Sequence, residues 1–448
     1  MKSDEMKEAL KAFRSSFLDF VDDPFYISED KSVRYIHDGL IVVRDGKVEE
    51  LGAYENLQSK YAGVPTTCYP GMLIVPGFID THIHFPQMEM IAAYGEQLLE
   101  WLSKYIFPTE GKFKDKIYAQ QVASIFLDEL LKNGTTTALV FTTVYPESVD
   151  AFFEEAERRN LRMIAGKVMM DRNAPDFLLD TAETSYYESK ALIEKWHKKG
   201  RLLYAVTPRF APTSTDEQLR IGGKLLQEFP DVYLHTHLSE NVDEVLWVKE
   251  LFPNCEGYLD AYDRAGLVGD RSVFAHGVQL TDKEFQRLSA AKSAIAFCPT
   301  SNLFLGSGLF KIEKAKSREH PVKVGLGTDV GGGTSFSILE TVSEAYKVAQ
   351  LRRQKLSPFK ALFLATLGGA RALCLEDVIG NFDVGKEADF VVLDMQSTPL
   401  MAFRNSSSIP TSLDELVDKV FSLVIMGDDR AVHTTYIMGE LAYERSSL

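Results

Sequence analysis

Between residues 73 and 329 the chain repeats one pattern: a short apolar run, then a longer stretch with apolar residues at helical spacing. The runs are LIVPGFID (73–80), TTTALVF (135–141), LRMIAGKVMM (161–170), LLYAVTP (202–208), VYLHTH (232–237), SVFAH (272–276), AIAFC (294–298) and VKVGLGTD (322–329). Their length and β-branched content predict buried strands. IYAQQVASIFLDELLKNG, SYYESKALIEKWHKKG and TDEQLRIGGKLLQEFP predict helices between them, with Asn133-Gly134 and Lys199-Gly200 as helix stops. Eight such strands predict a closed (β/α)8 barrel of the TIM type. A doubly wound open sheet is the competing arrangement, but it rarely needs eight units, and no glycine-rich dinucleotide loop follows an early strand.

Both ends of the chain have a different texture. GLIVVRDGKVEELG (39–52) reads as two β-rich pieces around an Asp45-Gly46 turn, a hairpin signal, and TTCYPGMLIVPG follows it. ADFVVLDM (388–395), VFSLVIMG (420–427) and the hairpin-like AVHTTYIMGELAYE repeat that texture near the far end. Chain ends often lie close together, so the two regions predict one small β-sandwich domain. Residues 1–75 supply its N-terminal part and 381–448 its C-terminal part, with the barrel at 76–380.

Composition narrows the functional classes. Of 448 residues 45% are apolar, enough for a sizeable core. The balance of 49 basic against 64 acidic residues gives −15, unsuited to a dedicated phosphate-backbone binder, so no nucleic-acid partner is expected. Four cysteines, at 68, 255, 298 and 374, do not form a secreted disulfide framework. The opening MKSDEMKEALKAFRSSFLDF lacks an apolar signal core, and no run is long enough to span a membrane. A cytoplasmic protein with no membrane partner is the expectation.

A barrel places its chemistry where the carboxyl ends of the strands meet. Asp80-Thr81-His82-Ile83-His84 ends the first run, and period-two alternation puts His82 and His84 on one face. The alternative for this pair is two hydrogen-bonded histidines without a metal. His235-Thr236-His237 ends the fifth run, and two-residue spacing separates its imidazoles by about 7 Å in depth, so only one need reach the site. Glu240, three residues on, is placed to move protons without binding metal, or else is a helix-start acid. His276 closes the sixth run and Asp329 the eighth, ahead of the pliable Gly331-Gly332-Gly333. A buried carboxylate at Asp329 requires pairing, hydrogen bonds or a metal. This nitrogen- and oxygen-rich set suits zinc or ferrous iron; zinc activates water without redox chemistry. Cys298 is either a site neighbour or an ordinary buried thiol.

DTHIHFPQ (80–87), HLSE (237–240), FAH (274–276) and GLGTD (325–329) resemble the metal-dependent amidohydrolase superfamily. YGEQLLEWLSKYIFPTE, NGTTTALVF, TPRFAPTS, HTHLSEN, FCPTSNLFLGSGLF and GLGTDVGGGTSFS extend the likeness over most of the chain and resemble its guanine deaminase branch. The resemblance implies one zinc per chain on His82, His84, His237 and Asp329, with Glu240 the proton shuttle and His276 orienting the attacking water. It further implies guanine and water as substrates, purine-binding roles for Gln87, Arg209, Phe210 and His237, and a homodimer. Arg209 has a donor fork suited to a 6-oxo group, or else pairs with a carboxylate at the barrel rim, and Gln87 offers both donor and acceptor. Phe210 either stacks on the purine or packs in the core, and Trp101 forms a wall or packs. The competing readings are a related hydrolase acting on another heterocycle and a barrel that only binds.

Overall fold

The computed structural model describes residues 10–94, 98–406 and 410–446. Positions 95–97, the Gly-Glu-Gln of the YGEQ motif, lie outside the described residues. In chain order the strands are β1 (Leu10–Phe20), β2 (Val33–Arg44), β3 (Lys47–Ala53), β4 (Thr66–Pro76), β5 (Phe78–His84), β6 (Thr135–Phe141), β7 (Arg162–Gly166) and β8 (Val168–Met169). They continue as β9 (Leu203–Pro208), β10 (Tyr233–Leu238), β11 (Ser272–His276), β12 (Ala294–Phe297), β13 (Lys323–Leu326), β14 (Phe390–Leu393), β15 (Val432–Ile437) and β16 (Glu440–Glu444).

Eight strands form the expected barrel, in the order β5-β6-β7-β9-β10-β11-β12-β13, every adjacent pair parallel. The seam between β13 and β5 is joined at its carboxyl end. There Asp329 N donates to His82 O at 2.9 Å, His84 N to Val330 O at 3.0 Å, and the Thr81 hydroxyl to Leu326 O at 2.9 Å. The run 161–170 is not one strand. It breaks at Lys167, whose buried ammonium turns aside to Asp180 and whose backbone N–H is taken by the Tyr204 hydroxyl. The eighth run also stops early, at Leu326, leaving Gly327-Thr328-Asp329 as a loop over the barrel mouth.

The helices follow their apolar spacing. Lys116–Lys132 is capped by Asp115 and ends at Asn133-Gly134 as expected, whereas Ala182–Trp196 stops three residues before Lys199. VFSLVIMG at 420–427 is a correction. Those residues belong to the helix Leu413–Met426, capped by the Ser412 side chain accepting from Glu415 N, and only Gly427 lies past its end. Its β-branched side chains favour a strand, but Leu416, Val420, Leu423 and Val424 share one helical face. That face packs on the helix Ile338–Leu351, where Tyr346 meets Phe421 edge-on at 5.0 Å.

The terminal strands form one seven-stranded sheet, β16-β15-β14-β4-β1-β2-β3, with β1 and β4 parallel and the other pairs antiparallel. The Asp45-Gly46 hairpin is present, both residues at positive φ. Hydrogen bonding makes this a single curled sheet, and Phe13 on β1 lies 5.0 Å from Phe390 on β14, the two strands that flank β4. Val48 N to Lys386 O, at 2.8 Å, carries the curl towards closure.

A buried ion network ties this sheet to the end of the barrel opposite the strand carboxyl termini. Glu387, leading into β14, accepts from Arg162 Nε at 2.7 Å and Arg201 Nη2 at 2.6 Å, and Arg201 also donates to Asp389. Among the described residues no helix is long and apolar enough to cross a membrane. Removing one charge from a buried network strands its partners. Glu387→Gln is therefore expected to lower unfolding stability by about 3 kcal/mol. A urea titration followed by circular dichroism measures it.

Candidate metal centre and active site

β5 delivers two imidazoles to one point because its side chains alternate. His82 and His84 face the barrel mouth while Ile83 packs outward against Phe126 and its neighbours. β10 adds His237, and the loop after β13 adds Asp329. The ligand-capable atoms of these four residues all lie within 4.8 Å of one another. His84 Nε2 is 3.2 Å from both His82 Nε2 and His237 Nε2, and Asp329 Oδ1 is 3.1 Å from His82 Nε2.

These contacts test whether a metal fits. Burial pushes His84 down to about 3, lowers His82 and drives His237 well below the ordinary imidazole value, so the rings are neutral. His237 donates Nδ1–H to Arg209 O at 2.7 Å, which leaves its Nε2 with a lone pair aimed at the cluster. Burial alone would raise Asp329, but His82 and His84 hold it well below the usual carboxylate range. Neutral nitrogens and an ionised oxygen crowded at this spacing are the donor set of a borderline cation such as zinc. The residues fit one ion per chain.

The remaining polar groups surround this centre. His235 lies behind His82, its Nε2 2.7 Å from His82 Nδ1, so the second histidine of that pair supports a ring of the cluster. His276 donates Nδ1–H to Asn302 Oδ1 at 2.9 Å, and its buried Nε2 has no hydrogen-bond partner among the described residues. That nitrogen lies 3.4 Å from Glu240 Oε2 and 3.7 Å from Asp329 Oδ2. Glu240 is 3% exposed and stands apart from the four-residue cluster, accepting one bond from the Ser307 hydroxyl at 3.2 Å. Burial, reinforced by Asp329, pushes it up to about 8. Ser239, His276 and Asp329 all have positive φ, strained for non-glycine residues and concentrated at this one site.

Gln87, Trp101, Arg209 and Phe210 line the same cavity as His84, His237, Glu240, His276 and Asp329, with Leu98, Leu102 and Leu305 supplying apolar wall. Phe210 touches both environments: it lines the cavity and packs in one cluster with Trp101 and Leu305. The Gln87 amide sits 3.0 Å from His84 Nδ1. Cys298 is fully buried beside His82 and His276, and burial holds its thiol well above the ordinary value, so it is a protonated neighbour rather than a thiolate. The glycine loop closes tightly over the centre. A Cβ at Gly333 would fall 1.7 Å from Thr328 O.

Three supporting groups carried no role in the sequence reading. Asn302 sits in CPTSN, in the short helix Pro299–Phe304, and Ser307 in the loop FLGSG after it, and only the fold reveals their partners. Glu110 ends YIFPTE, a helical segment outside the barrel strands, and is fully buried against Arg209.

The model of the Amidohydrolase family matches residues 73–442, a span that includes the whole barrel and every residue of this centre. The chain belongs to the amidohydrolase family. Guanine deaminase of Escherichia coli (strain K12) is 56% identical over 447 residues, covering 98% of this chain and 99% of that protein. The solved E. coli guanine deaminase superposes with a TM-score of 0.94, covering 97% of this chain and 100% of that one. Guanine deaminase from C. acetobutylicum, with guanine bound in its active site, superposes with a TM-score of 0.87 at 28% identity, covering 97% and 100% of the two chains.

The amidohydrolase centre yields a direct expectation. Purified with zinc available, the chain should carry about one ion by plasma mass spectrometry, and His237→Ala should lose most of it because one of four donors is gone.

Proposed function

We propose that this amidohydrolase is a guanine deaminase, converting guanine and water to xanthine and ammonia. The observation that carries the reading is a single cavity holding the His82–His84–His237–Asp329 cluster, a free Glu240 and the purine-sized polar edge of Arg209 and Gln87. Relatives named guanine deaminase that match nearly the full chain support the same substrate.

His82, His84, His237 and Asp329 would hold zinc, which supplies Lewis acidity and makes water nucleophilic near neutral pH. The chain's own groups then manage protons and geometry. His276 Nε2 accepts from the attacking water and orients it between the two carboxylates. Asp329 takes a proton as the oxygen bonds to C2. Glu240, protonated at neutral pH by its burial, gives its proton to N3 and then helps return protons to the 2-amino group. The proton held by Asp329 reaches the amino group, the hydroxyl proton returns to Glu240, the C2–N bond breaks and ammonia leaves; C2 becomes a carbonyl and N3 keeps its proton in xanthine. Arg209 addresses the 6-oxo oxygen, Gln87 the heterocycle edge, and Phe210 with His237 borders the ring.

A free base fits this site without any phosphate-binding groove. The homodimeric state is part of the same reading, drawn from the likeness to guanine deaminases, and light scattering on the purified chain tests it. Four cysteines that are free in this fold accord with the cytoplasm as the working compartment.

Ammonia release and xanthine absorbance should report guanine turnover, lost on chelation and restored by zinc. A site built to hydrogen-bond the 6-oxo group should discriminate against adenine by about 10⁴ in kcat/KM. Comparable rates on both bases would overturn the substrate. Glu240→Gln removes the transferable proton and should cost about 10³ in kcat while the metal stays bound. Parallel loss of zinc would make Glu240 a ligand or folding residue instead.

A further inference from the structure

The mechanism above leaves one charge inside the site without a task. Glu110 is fully buried, yet it is neither a member of the metal cluster's donor set nor part of a barrel strand. Both of its carboxylate oxygens accept from Arg209 Nη1 at 2.9 Å. Its Oε1 also lies 3.3 Å from the Gln87 amide nitrogen, as donor. One carboxylate therefore grips the two side chains that border the purine edge, and Phe107, one turn earlier, covers the Arg209 guanidinium at 5.6 Å from its ring centre.

The element that carries Glu110 is built around this contact. Leu98–Trp101, the wider turn Leu102–Ile106 and Phe107–Glu110 form one helical segment. Pro108 offers no N–H to the turn before it, and its ring crowds the carbonyl there, which accounts for the π-helical widening ahead of it. Leu98, Trp101 and Leu102 from the same segment line the cavity. The roof of the pocket and the anchor of its polar edge are thus one piece of chain.

A buried guanidinium needs a buried partner. Arg209 is 2% exposed, and its positive charge reaches the metal ligands, where it helps lower His82 and His84. Glu110 balances that charge and takes the Nη1 side of the fork, so the group's orientation is fixed before substrate arrives. Preorganised donors are worth more than donors that must turn to find their acceptor.

We propose that Glu110 is a positioning residue that determines specificity: it aims Arg209, and steadies Gln87, so that the pocket selects purines with a 6-oxo group. The inference rests on the guanine reading, and wild-type guanine turnover is measured first. Its absence would sink both.

With turnover established, dissociation constants for hypoxanthine, which has the 6-oxo group, and purine, which lacks it, are measured by calorimetry on the zinc-loaded enzyme. Glu110→Gln keeps the shape and removes the charge. It should weaken hypoxanthine, and lower kcat/KM for guanine, by about 10- to 100-fold, while purine affinity changes less than about threefold. Arg209→Gln should give the same pattern, and the double variant should lose little beyond either single one, since both act through one interaction. Equal weakening of the two ligands, or additive losses in the double variant, overturns the proposal and leaves Glu110 a packing residue. Glu110→Asp, which keeps the charge but shortens its reach, carries the same test where the amide variant does not fold.

Discussion

Three imidazole nitrogens and one carboxylate are pressed together at the mouth of the barrel, three of the four residues buried and His237 half-buried. Lone pairs 3.2 Å apart with no proton between them are unfavourable unless a cation sits among them. Two of the rings are steadied from behind: His237 by the Arg209 carbonyl and His82 by His235. The support matters as much as the donors, because an imidazole free to rotate would turn its lone pair away. Positive φ values at Ser239, His276 and Asp329 show the backbone accepting local strain to hold that arrangement.

Barrel closure makes the convergence possible. β5 and the loop after β13 are joined through Asp329 N to His82 O and His84 N to Val330 O, so two ligand segments distant in sequence brace one another directly. β5 is also an extension of the terminal sheet. β4 ends at Pro76, Gly77 N donates to Asp389 O at 3.0 Å, and β5 begins one residue later. Gly77 leaves no alternative side chain there, since a Cβ would fall 2.1 Å from the Thr136 hydroxyl. The strand that brings two ligands is thus held at its far end by the small sheet, and the Arg162–Arg201–Glu387 network clamps that same sheet to the barrel.

What the sequence made legible followed from short-range periodicity. Alternation of side chains put His82 and His84 on one face, and apolar runs separated by amphipathic segments marked the eight barrel strands, with edges displaced where Lys167 and Gly327 interrupt the pattern. The misread segment at 420–427 has residues that favour a strand individually, and only the Ser412-to-Glu415 cap and the helical face gave the opposite signal. Contacts between distant segments were illegible for a different reason. Glu110 and Arg209 are 99 residues apart, and Asn302 and His276 are 26 apart, so nothing in local pattern pairs them. The sequence showed which residue types were present near the site; the closed fold decides which of them touch.

The division of labour between Asp329 and Glu240 follows from environment alone. Both are buried carboxylates, and burial by itself would protonate both. Interaction with His82 and His84 outweighs burial and keeps Asp329 well below the usual carboxylate range; Glu240 accepts from the Ser307 hydroxyl, with a second acid behind it. That second acid, Glu244, accepts from the backbone N–H groups of Glu240 and Asn241 at 2.8 and 3.1 Å, which pins the main chain and leaves the Glu240 side chain lightly tethered. Two carboxyl groups a few ångströms from the same imidazole are thereby pushed to opposite protonation states, one ready to accept a proton and the other to donate it.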